Sequence, residues 1–133
     1  MIRKKIKAFT LVELMVVLAI VGILVLLALP NLMPLISKTK STEAKIHLEH
    51  IYNLEKSHFY MYSSYSDDLA AIGYQEETSI LEGGNANYRI EIVEAAPTVF
   101  TAHAVAVVDF DGDGQFNVWS MDQGKQLIEI ITD

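Results

Sequence analysis

"KKIKAFTLVELMVVLAIVGILVLLALP", Lys4 to Pro30, decides how the rest of the chain is read. Basic residues come first, at Arg3, Lys4, Lys5 and Lys7, and an apolar run opens at Phe9. One carboxylate, Glu13, stands inside that run, and no further charge occurs before Lys38. The uncharged stretch amounts to roughly 36 Å of helix at ~1.5 Å per residue, enough to cross a hydrocarbon core of ~30 Å. Pro30 and Pro34 interrupt it, so the straight part is expected to be shorter. An unpaired acid in lipid is costly. Glu13 therefore needs a use.

The chain has 133 residues, the size of one globular domain plus an anchor. Formal net charge is -7, yet four of the ten Lys and Arg residues precede Phe9. Beyond Phe9 the remaining six bases face all 17 acids. A basic cytoplasmic tip and an acidic exported body follow from the positive-inside rule. So acidic a body argues against nucleic acid or an anionic lipid surface as partner, because both are polyanions. Cysteine is absent, which excludes disulfides and thiolate metal sites without identifying the compartment.

Three readings of the N-terminal segment compete. A cleaved secretory signal has an apolar region of ~7–15 residues and a small-residue cleavage site. Here the apolar run is longer, and a cut after Ala28 leaves bulky Leu26 where a small residue is required. A plain signal anchor explains everything except Glu13 and the short basic head. The third reading explains those as well. "KAFTLVEL", Lys7 to Leu14, resembles the processing site of type IV pilins and of the related pseudopilins of type II secretion. The resemblance implies that Ala8 ends a leader, that prepilin peptidase cuts on the cytoplasmic side before Phe9, and that Phe9 becomes N-methylated. Ala8 replaces the family's usual Gly; it is still small, so slower processing at most is expected. Gly22 and Pro30 also fall where the family commonly has Gly and Pro. The match is close through Pro30 and holds only in outline beyond.

Cleavage gives Phe9 an α-amino group that is cationic near neutral pH. Glu13, one turn away, can partly neutralise it within the subunit. The resemblance implies a further pairing, in which Glu13 meets the Phe9 amine of a neighbouring copy and sets the axial register of helices in a fibre. Two buried charges that neutralise each other cost less than either alone. The plainer alternative is a carboxylate that snorkels, or carries a proton, at the interface.

Helical character continues beyond the apolar run. Lys38 to Tyr62 lacks Gly and Pro, and Ala44, Leu48, Ile51, Tyr52, Phe59 and Tyr62 recur near i, i+3, i+4 spacing. Glu43, Lys45, Glu49, Asn53 and Lys56 fall on the opposite side. One helix from Phe9 to about Tyr62 is expected, bent or locally melted at Pro30 and Pro34, which remove the bonds to the Leu26 and Pro30 carbonyls. In assembled pili of the resembled family the stretch between the equivalent Gly and Pro can lose helicity. That makes Gly22 to Pro30 a candidate for extension, with a simple kink as the alternative. Ser66 or Asp67 is expected to cap a short helix through Ile72, stopped by Gly73. Tyr60, Tyr62, Tyr65 and Tyr74 read as packing between helix and sheet.

After Gly83-Gly84-Asn85 the period becomes 2: Tyr88, Ile90 and Ile92 alternate with Arg89 and Glu91. Val99–Val105, Val118-Trp119 and Leu127–Ile131 read as further strands, the last two joined by a turn at Asp122-Gln123-Gly124. The fold class expected is α+β and pilin-like, a long helix packed on an antiparallel meander of about four strands. Its parts would be a leader at 1–8, a transmembrane and assembly half-helix at 9–36, an amphipathic half at 37–62 and a globular head at 63–133.

"DFDGDGQFNVW", Asp109 to Trp119, is the second informative stretch. Asp109, Asp111 and Asp113 sit at positions 1, 3 and 5 of an EF-hand-like loop, with Gly114 at position 6 and the Gln115 carbonyl next. Ser120 stands where the bidentate Glu belongs; Asp122, or a residue of another loop, is the candidate to replace it. Carboxylates this close repel one another unless a cation or water screens them, which favours a structural Ca²⁺. A solvated Asp-Gly turn between strands is the competing reading. The resemblance adds that major pseudopilins have a calcium-stabilised C-terminal loop. His47 and His50, one helical turn apart, lack a third ligand and read as solvated. His58 and His103 are isolated, and Asp67-Asp68 and Glu76-Glu77 read as solvated acids. No nucleophile elbow, phosphate loop or HExxH helix occurs, so no catalytic residue is expected.

The expectation is a structural subunit, not an enzyme, polymerising with copies of itself into a helical filament. It would begin as a single-pass inner-membrane precursor with its head outside the cytoplasm, and would meet prepilin peptidase and an assembly machinery. The first alternative is a major-type pseudopilin of a periplasmic pseudopilus. The second is a membrane-anchored calcium-binding module that does not polymerise.

Overall fold

The computed structural model describes residues 7–133; Arg3, Lys4 and Lys5 of the expected leader lie outside the described residues. Helix α1 spans Leu11–Tyr62, and the strands are β1 (Tyr88–Ala95), β2 (Phe100–Ala106), β3 (Val118–Asp122) and β4 (Leu127–Ile131). All strand pairs are antiparallel, in the order β1-β2-β3-β4. This is the α+β, pilin-like architecture expected. The chain divides into two compact units, one ending at Met33 and the other covering Pro34–Asp133.

In the unit ending at Met33, described from Lys7 onward, α1 is apolar on every side. Such a helix has no face to turn toward a core of its own. No residue of that unit is buried among those described.

Burial begins at Ser37, in the second unit. The buried stripe of α1 is Ser37, Ser41, Ala44, Leu48, Ile51 and Glu55, spaced by alternating steps of four and three. Three of its members are polar and were not expected there. The serines fit because they are small and their hydroxyls bond backbone carbonyls: Ser41 to Lys38 at 2.8 Å, Ser37 to Asp133. Tyr62, expected on the apolar face, is instead exposed, because the sheet-facing stripe ends at Glu55 and Phe59.

Opposite the stripe, β2 buries Phe100, Ala102, Ala104 and Ala106 in strict alternation. Tyr88 and Ile90 of β1 and Met121 of β3 join them in one core with Ala44, Leu48 and Ile51. The alanines leave room for the helix, and Leu48, Ile51 and Phe100 fill the space with no exposed surface. Each such large side chain contributes about 1.5–3 kcal/mol. A bulge between Ile92 and Glu94 turns Val93 outward.

Helix and sheet are also pinned by charge. Glu43 Oε1 accepts the backbone N–H groups of Asn87 (2.7 Å) and Tyr88 (3.3 Å), and its Oε2 accepts the Asn87 side-chain amide at 2.7 Å. Lys40 donates to the Asn87 carbonyl oxygen at 2.8 Å. Lys45 lies 4.4 Å over the Trp119 ring, and Lys125 pairs with Glu49 at 2.9 Å.

The segment joining α1 to β1 corrects two expectations. Between Ser66 and Gly73 there is a hydrogen-bonded turn rather than a helix, capped by Asp68, whose Oδ1 accepts the Ala70 N–H at 2.9 Å. The span before Gly73 is too short to propagate a helix once nucleated. A single 3₁₀ turn, Ile80–Glu82, follows; Ser79 caps it and Gly83, at φ 85°, ends it. The sequence reading contains no element there.

Candidate functional site

Two places carry the residues singled out from the sequence. At the start of α1, Phe9 is exposed and Ala8 is unpaired coil preceding it. Glu13 Oε2 accepts the Thr10 backbone N–H at 2.8 Å, and Thr10 Oγ1 accepts the Glu13 N–H at 3.2 Å. This reciprocal pair is a capping box, with Thr10 as N-cap and Glu13 three residues on. It satisfies two helix-start groups that have no partner within the helix, which matters most where lipid supplies none. Glu13 thus has a local use in the single chain that the sequence reading did not include. The signal was legible: Thr10-Leu11-Val12-Glu13 fits the S/T-x-x-E pattern.

Beyond the cap, every large apolar side chain from Leu11 to Ile36 is between 42% and 77% exposed. By length and composition α1 can cross a membrane. Gly22, Pro30 and Pro34 are all helical in the single chain. A Cβ added at Gly22 would meet nothing within 4 Å, so no packing inside this chain demands a glycine there.

The second place is the loop between β2 and β3. Oxygens of Asp109, Asp111, Asp113 and Asp133 lie within 4.8 Å of one another. Asp109 spreads its two oxygens over the Gly112 and Gly114 N–H groups at 2.6 and 2.7 Å. Those bonds, the Gly114 one foremost, hold its carboxyl below the usual carboxylate range. Asp111 accepts from Asp113 N–H, which lowers it; the partial loss of water and the like charges of Asp113 and Asp133 outweigh that bond and leave it raised. Gln115 gives its N–H to Asp113 at 2.7 Å.

Asp133 was not anticipated. Its oxygens accept the N–H groups of Phe110 (2.9 Å) and Asp111 (3.0 Å), so it ties the loop to the residues following β4. Asp122, expected to complete the set, is used elsewhere. It stands at the far end of β3, where its Oδ1 accepts the Gly124 and Gln126 N–H groups and closes the β3–β4 turn. No sequence spacing brings Asp133 beside Asp109; the pairing of β3 with β4 does. A cluster of hard oxygens carrying unrelieved like charge fits a divalent cation such as Ca²⁺. Beneath the loop Asn117 is fully buried; its side chain receives the Tyr88 hydroxyl at 2.6 Å and donates to Glu129 and to the Ile131 carbonyl.

Three of the four histidines make contacts within the fold. His47 Nδ1 and the Tyr74 hydroxyl are 3.1 Å apart, the His50 ring is tilted by 49° to the Tyr74 ring, and His58 Nδ1 meets the Ser64 carbonyl at 2.8 Å.

Comparison with known proteins agrees with this geometry. Residues 3–29 match the family model described as the prokaryotic N-terminal methylation motif. The chain is 39% identical over 84 residues to the type IV major pilin protein PilA of Myxococcus xanthus (strain DK1622). That alignment covers 63% of this chain and 36% of the relative, so the chain spans about a third of the length of the curated relative it matches. A methylation-motif helix followed by a four-stranded antiparallel head is a pilin-like arrangement, and the similarities found are to the type IV pilin family.

Proposed function

We propose that this chain is a structural subunit of a type IV pilus-like filament, held together by its N-terminal apolar helix. The observation that carries the reading is the exposure of every large apolar side chain from Leu11 to Ile36 beside a head whose core is already closed. Leaving one such side chain in water costs about 1.5–3 kcal/mol. Summed over the segment this exceeds the ~5–15 kcal/mol that stabilises a typical domain. Lipid must cover the segment first, and neighbouring copies afterwards.

The precursor is a single-pass inner-membrane protein with its head outside the cytoplasm. Prepilin peptidase cuts between Ala8 and Phe9, Phe9 is methylated, and an assembly machinery moves the subunit into the filament. There Glu13 offsets the charge of a neighbour's Phe9 amine. Intact mass of the membrane-extracted protein tests processing: a chain beginning at Phe9 and carrying one methyl group is expected. A chain retaining Met1 to Ala8 would instead support the non-polymerising anchored module.

The loop of Asp109, Asp111, Asp113 and Asp133 favours a second reading, a major-type pseudopilin of type II secretion, which shares the processing steps. In either reading the loop holds one structural Ca²⁺, whose role is to relieve the charge crowding and order the loop. Long surface fibres, as against short periplasmic ones, separate the two readings.

A further inference from the structure

Glu55 lies on the buried stripe of α1 and has no exposed surface. Its Oε2 accepts the Ser66 N–H at 3.1 Å, while its Oε1 is buried without a hydrogen-bond partner. The same end of the helix grips two more residues of the returning chain. Lys56 donates to the Tyr65 hydroxyl at 2.8 Å, and His58 Nδ1 donates to the Ser64 carbonyl at 2.8 Å. Ser64, Tyr65 and Ser66 are thus each held by one ionisable side chain of α1. The Tyr65 ring completes the aromatic edge of the core, 4.9 Å from both Phe59 and Phe100.

A buried carboxylate with one bond and one bare oxygen is costly in its charged form and much less so when neutral. Burial accordingly raises the Glu55 titration above its ordinary value of 4.5, and the Ser66 bond and the charge of His58 only partly oppose this. The surrounding groups do not reverse that balance. From α1 come Lys56, already engaged by Tyr65, and His58. From the returning segment come the Tyr65 phenol and the exposed acids Asp67 and Asp68. The β3–β4 turn brings Lys125, which is paired with Glu49 and lies over Tyr52. Phe100 represents the sheet and carries no charge.

We propose that Glu55 is a proton-operated latch: its neutral form seats Ser64–Ser66 on the end of α1, and its ionised form loosens that segment together with the Tyr65 ring. The sign follows from linkage. A carboxyl whose folded titration is raised contributes stability that is fully present below its unfolded value, near 4.5, and is lost as pH rises through the raised value. The latch is tightest below pH 4.5. That is opposite to carboxylates stabilised by charge pairing, which weaken a fold as they are protonated.

The test uses the full chain in detergent micelles. Carboxyl NMR follows Glu55 directly, and amide hydrogen exchange at Ser66, corrected for intrinsic rates, follows the segment. Glu55→Gln keeps an oxygen for the Ser66 N–H and removes the charge; it also keeps His58, so the difference between the proteins cancels the imidazole. In the wild type the opening constant at Ser66 is expected to rise by up to about tenfold per pH unit between the ordinary and raised values. In Glu55→Gln that rise is absent. Titration of Glu55 in the ordinary carboxylate range would overturn the proposal, whether or not the variant folds. Identical pH dependence of Ser66 exchange in both proteins would overturn it too.

Discussion

Glu13 has one role in the capping box and a proposed one in assembly, and single substitutions can separate them. As the N3 residue of the box it supplies an acceptor oxygen for Thr10 N–H; as the proposed partner of a neighbour's amine it would need a negative charge. Glu13→Gln keeps the first and loses the second. It should be inserted and processed normally, with the first turn of α1 still protected from hydrogen exchange, yet form few filaments. Wild-type filament yield from that variant would remove charge from the assembly argument. Thr10→Val does the converse, loosening the helix start by about 1 kcal/mol. At the acidic loop, Asp133 makes an equally sharp case. If Ca²⁺ binds there, saturating it should raise the melting temperature, since a ligand at a hundred times its Kd adds about 2.7 kcal/mol. Asp133→Ala should shrink that shift, and Asp122→Ala should not. Equal shifts in all three proteins would place the ion elsewhere.

Among the elements, α1 carries two different jobs, and they fail differently. Its second half is bound to the sheet through Glu43, which accepts two backbone N–H groups at the entry to β1. Glu43→Ala leaves those donors without their partner and should destabilise the head by about 1–3 kcal/mol per orphaned group. Urea unfolding measures this, and a loss under about half a kcal/mol would mean water replaces the carboxylate. The first half carries Gly22, where an added Cβ would meet nothing. Gly22→Ala should therefore favour helix by about 1 kcal/mol without strain. If Gly22 to Pro30 extends in the filament, filaments of that variant should resist stretching more than wild type; identical force-extension curves would count against extension. The β-strands were legible because alternation has one meaning on a half-buried sheet. The turn at Asp68 was misread as helix because capping residues occur in isolated turns as well as at helix starts.

For the molecule as a whole, alkaline pH is the informative stress. Burial, with the charges of Glu77, Glu76 and Glu43, pushes the Tyr74 hydroxyl up to about 12 from 10.0. Tyr88 is raised still further, by burial and by Asp133, Glu43 and Glu129. A raised phenol keeps its proton in the fold while the unfolded chain gives it up. The stabilisation it lends is full below pH 10 and drains away as pH climbs toward the folded value. Stability should fall by up to about 1.4 kcal/mol per pH unit for each of the two groups across that window. Tyr74→Phe and Tyr88→Phe should flatten the slope, each by its share. A urea midpoint unchanged between neutral and strongly alkaline pH would mean that both rings reach water.

The sequence by itself determined the apolar helix, its acid, the processing motif and the alternating strands, because each is written in neighbouring residues through a local period or a contiguous run. Only the tertiary structure decided which polar residues are buried and which acids meet. Glu55 looks like any helix-surface glutamate until the returning chain covers it. Asp133 joins Asp109 only because β4 comes back beside β3. Burial and convergence are properties of segments distant in the chain, and no local pattern encodes them.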